Sequence, residues 1–140
     1  MGERSFLKPV TAHTATPART LTLATIAGNA VCLDIGGGHY AWYAHLENGS
    51  VRVKPGEHVR PGQVLGLIGN SGNSDAPHLH FQVTDGPTVL GSEGIPFAFR
   101  SYVIQGKATE ADDDFRFEAN GTEQKRASEL PQYGEVIRFP

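Results

Sequence analysis

Residues 78–83 alternate without a break: Leu79, Phe81 and Val83 fall on one side of an extended chain, and His78, His80 and Gln82 on the other. A turn over Gly69, Asn70, Ser71, Gly72 and Asn73, followed by Pro77, leads into this strand. Residues 39–46 alternate in the same way, with Tyr40, Trp42 and Ala44 on one face and Ala41, Tyr43 and His45 on the other. Upstream, Leu21, Leu23 and Thr25 interleave with Thr22, Ala24 and Ile26. Gly28 and Asn29 then turn the chain into the apolar run 30–35, which predicts a hairpin. Between residues 50 and 69, short valine-rich stretches are cut by Pro55-Gly56 and Pro61-Gly62 turns, the rhythm of a sharply folded β-hammerhead. Phe97, Phe99, Tyr102, Val103 and Ile104 make a further β segment, and Val136, Ile137 and Phe139 a last one.

These elements predict an all-β fold of antiparallel sheets. Residues 1–19, without a clear period, read as an extended lead-in, and residues 20–105 as the folded domain. Residues 106–134 read as a mobile acidic excursion, and 135–140 as a strand returning to the body. Within the excursion, Phe115 and Phe117 with the Asn120-Gly121 turn suggest a small hairpin, and Thr122 a cap for a short helix to Leu130.

Composition narrows the classes of function. A chain of 140 residues with 39% hydrophobic residues can bury a core, and 17 glycines favour turns over long helices. A net charge of -3 without a Lys or Arg cluster gives no field for nucleic acid. No apolar run is long enough for a signal peptide or a membrane span. The single cysteine, Cys32, sits inside an apolar run and reads as a small buried side chain rather than a nucleophile. Gly36, Gly37 and Gly38 lack the helix and the Lys-Ser/Thr of a phosphate cradle, and Asp112, Asp113 and Asp114 lack the rest of a calcium loop. His39 and His58 fall at loop edges and read as surface residues.

His78 and His80 are different, because a rise of about 3.3 Å per residue puts two imidazoles on one strand face about 6 to 7 Å apart. One can then ligate a metal while the other reaches a water or substrate beside it.

In order, GNAVCLDIGGGHYAWYAHL, GSVRVKPGEHVRPGQVLGLIGNSG and NSDAPHLHFQV closely resemble the blocks of the lysostaphin-type (LytM-like) zinc metallopeptidases. The resemblance runs from Gly28 to about Val83, with fainter likeness through IPFAFRSYVI. It implies a fold related to the lipoyl-like hammerhead, cleavage of cell-wall (peptidoglycan) peptides by zinc-activated water, and a periplasmic or extracellular place of work. It also implies roles: His80 as a zinc ligand, with His45 and His78 acting on the catalytic water and the oxyanion.

The family pattern also places a His and, four residues later, an Asp as zinc ligands upstream of the YAHL block. Here the only Asp before Asp75 is Asp34, with Ala30 four residues earlier, and the only His before His39 is His13, with Pro17 four residues later. One ligand of three gives weak, poorly defined zinc binding. The expectation is therefore a chain truncated at its N-terminus and inactive in isolation, or a non-catalytic cell-wall binding or hydrolase-regulating module on the same fold. Missing strands also predict an open sheet edge through which two copies pair. A lipoyl carrier is the weakest reading, since no lysine stands between Val59 and Gly72.

Overall fold

The computed structural model describes residues 5–9, 25–111 and 114–140, and all its regular elements are strands: β1 (Ser5–Pro9), β2 (Asn29–Gly36), β3 (His39–Leu46), β4 (His58–Val59), β5 (His80–Thr84), β6 (Tyr102–Ala111), β7 (Asp114–Arg126) and β8 (Glu135–Arg138). Every pairing between them is antiparallel. The chain divides into two compact units, Met1–Ile95 and Pro96–Pro140.

The first unit holds a five-stranded sheet in the order β4-β1-β2-β3-β5. Its two long central strands, β2 and β3, are the apolar run and the aromatic block of the sequence. Cross-strand partners share a face, so Leu33 opposite Ala41 and Val31 opposite Tyr43 belong to one layer, and Cys32 opposite Trp42 to the other. The first layer gathers Val31, Leu33, Ala41, Leu46 and Val53, with Val51, Val59, Leu65 and Phe81 packed against it. The second gathers Ala27, Ala30, Cys32, Trp42 and Ala44. Cys32 is buried, as its apolar context predicts.

Three features differ from the pattern read off the sequence. Ser5–Pro9, inside the expected lead-in, is a strand between β2 and β4. The first arm of the hairpin expected at 20–26 falls outside the described residues up to 24, and 25–27 form a turn closed by Gly28 N donating to Thr25 O at 3.0 Å. Residues 50–69 contribute the two-residue β4 and isolated bridges from Ile68 to Leu46 and from Gly69 to His78. The turns at Gly56 and Gly62 do form, both at positive φ.

The second unit is a three-stranded sheet in the order β7-β6-β8. Its small core is Tyr102, Val103 and Ile104, beside an edge-to-face aromatic set in which Phe99 meets Phe97, Tyr102 and Phe139 at centroid distances of 5.7, 6.4 and 4.9 Å. The acidic residues expected on a mobile excursion lie largely on the β6–β7 hairpin, and the expected boundary at residue 105 falls within β6. Pairing jumps from Ile104↔Gln124 to Gly106↔Ala119, so the Asn120-Gly121 turn signal is spent on a bulge within β7, not on a hairpin tip. Continued pairing to Arg126 displaces the short helix expected at 122–130.

Candidate functional site

β3 keeps strict alternation from Tyr40 to Ala44 and then breaks it. Val31 pairs with Tyr43 but Asn29 pairs with Leu46, so Ala44 and His45 together oppose Ala30 in a bulge. His45 adopts φ 61°, a left-handed conformation that costs most residues about 1 to 2 kcal/mol and in which histidine is among the enriched types. Its N–H donates to Ala27 O at 2.9 Å, which locks the kink. The bulge inverts the parity of everything after it. Leu46 joins the Ala41 layer, and His45 turns onto the side of Trp42 and Ala44. Alternation alone had placed His45 beside Tyr43; the extra residue in β3 moves it to the opposite face.

β5 brings the second group to the same side. His80 lies opposite Ala44 and Gln82 opposite Trp42, while Phe81 meets Tyr43 across the strands at a ring distance of 5.0 Å. His78 stands just before β5, bridged to Gly69, and Leu79 stays 41% exposed rather than joining the core. The result is a cluster. The His45 ring lies 4.8 Å from that of His78 and 5.5 Å from that of His80, and ligand-capable nitrogens of all three lie within 4.8 Å of one another. Among the described residues this is the group of three or more His, Cys, Asp or Glu side chains suited to a metal ion. His39 and His58 take no part, and His13 is outside the described residues.

Each ring is held by one nitrogen. Carbonyl oxygens only accept, so His45 Nδ1–H donates to Ser71 O at 2.8 Å and His78 Nδ1–H donates to Ala76 O at 2.8 Å. His80 Nε2–H donates to Gln82 Oε1 at 2.6 Å. Nε2 of His45, Nε2 of His78 and Nδ1 of His80 are thereby left with free lone pairs. Burial of His45, 5% exposed, penalises its imidazolium and lowers its pKa below the usual histidine value; positive charge on His78 and His80 acts in the same direction, against the Ser71 carbonyl. Neutral imidazole nitrogens with the opposite nitrogen anchored are the donors zinc takes, so the set fits that ion chemically.

Ser71 is held as firmly as the ring it supports. Its Oγ donates to Leu46 O at 2.7 Å and accepts from Asn29 N at 2.9 Å, while Asn29 Nδ2 donates to the same Leu46 carbonyl at 3.2 Å. Asn73 N donates to Ile26 O at 2.9 Å, drawing the turn onto the start of β2. The approach is so close that a Cβ on Gly72, at φ +74°, would collide with the backbone of Ile26 and Gly28. Ser71, Asn29 and Gln82 were not singled out from the sequence. The signal available for Ser71 was its place between Gly69 and Gly72, and for Gln82 its parity with His80.

Beside the cluster lies a cleft of about 210 Å³ with apolar walls from Ile26, Trp42, Val89 and Leu90, and with His45 and His80 on its lining. Trp42 is fixed beneath it by Nε1–H donating to Thr84 Oγ1 at 3.0 Å.

The profile of Peptidase family M23 matches residues 8–90, more than half of the chain. Lysostaphin of Staphylococcus simulans is 50% identical over 46 residues, which cover 33% of this chain and 9% of that protein. Peptidoglycan DD-endopeptidase ShyA of Vibrio cholerae is 40% identical over 57 residues, 41% of this chain and 13% of that protein. The alignments thus span only about a tenth of the length of these relatives. A solved catalytic domain of lysostaphin from Staphylococcus simulans overlaps 64% of this chain and 68% of its own at 31% identity and a TM-score of 0.44.

Proposed function

Because the chain belongs to Peptidase family M23, we propose that residues 25–95 carry the metal-binding and proton-handling half of a zinc metalloendopeptidase acting on cell-wall peptides. The convergence of His45, His78 and His80, each with one ring nitrogen anchored and the other free, carries this reading. His80 serves as a zinc ligand through Nδ1. A zinc ion held there would supply Lewis acidity for the scissile carbonyl and for a bound water. His45 is the general base: its lowered pKa keeps it neutral at physiological pH, and Nδ1–H···Ser71 leaves Nε2 as the proton acceptor. His78, exposed and anchored at Ala76 through Nδ1, acts with Nε2 on the oxyanion side of the site. The cleft beside the cluster, with Leu90 on its wall, is the place for the peptide.

With His80 as the one assigned ligand, the chain alone binds zinc weakly and hydrolyses cell-wall peptides negligibly. A non-catalytic binding or regulatory module is the second reading, favoured by the cluster of three imidazoles joined by no carboxylate among the described residues. Calorimetric zinc titration combined with a cross-bridge peptide assay tests both. Tight one-to-one binding with cleavage abolished by His80→Ala supports a complete catalytic site, and peptide binding without cleavage at saturating zinc supports the module. We expect two copies to pair through an open sheet edge; a concentration-independent monomer in sedimentation would refute that.

A further inference from the structure

We infer that Gln82 is a positioning residue that fixes the ring of His80 so that Nδ1, and not Nε2, faces the histidine cluster. This rests on the reading of His80 as a metal ligand. The two other rings are oriented chiefly by backbone carbonyls, Ser71 O and Ala76 O at 2.8 Å each, which substitution does not remove; Ser74 Oγ stands farther from His78 Nδ1, at 3.2 Å. His80 is oriented by a side chain, and the contact is short: Nε2 to Gln82 Oε1 at 2.6 Å. His80 is exposed, so packing contributes little to holding its ring. Gln82 itself is half-buried on β5, two residues on and on the same face, opposite Trp42. Trp42 is 1% exposed and pinned to Thr84, so the amide is presented from a rigid part of the sheet. Rotation of the His80 ring by half a turn about Cβ–Cγ would cost the hydrogen bond to Gln82 and turn Nδ1 away from His45 and His78.

The amide also sets the ligand's strength. A neutral acceptor on the far nitrogen orients the ring, whereas a carboxylate in its place would orient it and make Nδ1 more basic. Three side chains at position 82 therefore separate orientation from packing: Gln orients, Glu orients and adds basicity, and Leu fills similar volume while doing neither.

The test uses the full chain labelled with ¹⁵N and free of metal, at a pH where the rings are neutral. Long-range ¹H–¹⁵N spectra of the wild type should show His80 protonated at Nε2, with that proton protected from solvent exchange. Protection should be lost in Gln82→Leu and kept in Gln82→Glu. Titration with Co²⁺, followed by its visible absorption, should show Gln82→Leu about 10- to 100-fold weaker than the wild type and Gln82→Glu at least as tight. A wild-type His80 protonated at Nδ1, or a Gln82→Leu chain with unchanged proton protection, overturns the inference. If the spectra are as expected but the wild type takes up no Co²⁺, the reading of His80 as a ligand fails while the positioning by Gln82 stands.

Discussion

The two faces of the five-stranded sheet are built from alternate residues of the same strands, yet they do different work. One face carries Val31, Leu33, Ala41, Leu46 and Val53, aliphatic groups that fill their layer. The other carries Ala27, Ala30, Cys32 and Ala44 around Trp42, with Tyr40 and Val89 packed against them, and it is on this face that the cleft and the histidines stand. Small residues make the difference: a layer of alanines leaves the volume that a leucine layer would fill. The site also needs a parity error. Without the bulge at Ala44 and His45, the imidazole of His45 would point into the aliphatic face, where its polar nitrogens would lie among side chains with nothing to offer them.

The largest effect should come from the joint that holds the polar face together. Gly72→Ala adds a Cβ that meets the backbone of Gly28 and Ile26, in a left-handed conformation that alanine disfavours. A loss of about 4 kcal/mol in urea unfolding is expected, together with loss of the His45 Nδ1–H···Ser71 bond in the ring ¹⁵N spectrum. Cutting the aliphatic face should cost almost as much but leave the site alone. Leu33→Ala should lower stability by about 3 kcal/mol with metal affinity changed less than about twofold. His80→Ala should do the reverse, since an exposed side chain contributes within about 0.5 kcal/mol to stability, while metal uptake disappears. Were Leu33→Ala to weaken metal binding as much as His80→Ala does, the two faces would not be separable.

A smaller effect is expected beneath the cleft. Trp42→Phe keeps the aromatic packing and removes the donor to Thr84 Oγ1, whose own bond to Gly86 O at 2.8 Å survives. A loss of about 1 to 2 kcal/mol in the same unfolding measurement would fit one buried hydrogen bond plus some lost volume.

Alternation made much of this sheet legible. Trp42, Phe81 and Val83 could be assigned to strands because their neighbours obey a period of two, Cys32 because it sits in an apolar run, and the HLH motif marked itself as a candidate site. What stayed hidden was whatever depends on a break in that period or on a partner distant in sequence. The bulge at His45 follows from pairing with β2, and no local feature of YAHL reports that Asn29, not Gly28, will face Leu46. The role of Ser71 as acceptor for His45 depends on contacts 26 residues apart. Ser5–Pro9 escaped notice because Phe6 and Leu7 are adjacent, with no alternation to announce a strand. The acidic hairpin misled for the opposite reason. Glu118 and Glu123 are exposed on β7, so charge there describes solvation and not the absence of pairing.

The smallest expected effect is the pH dependence that the polar face imposes and the aliphatic face does not. Burial lowers the His45 pKa in the folded chain, helped by charge on His78 and His80, whereas the unfolded chain titrates near the ordinary histidine value of about 6.5. Between those two values the unfolded state binds more protons than the folded one, so stability must rise with pH across that window. The contribution of His45 is fully present above about 6.5 and is lost as the pH falls through its folded pKa. His45→Asn removes the titration while keeping a residue type tolerant of positive φ. Metal-free chains unfolded in urea at a series of pH values should therefore give a steeper rise toward pH 7 for the wild type than for His45→Asn. Leu33→Ala should keep the wild-type slope at lower stability. Equal slopes for wild type and His45→Asn would mean that His45 is not held neutral by its surroundings, and its assignment as the proton acceptor would fall with that result.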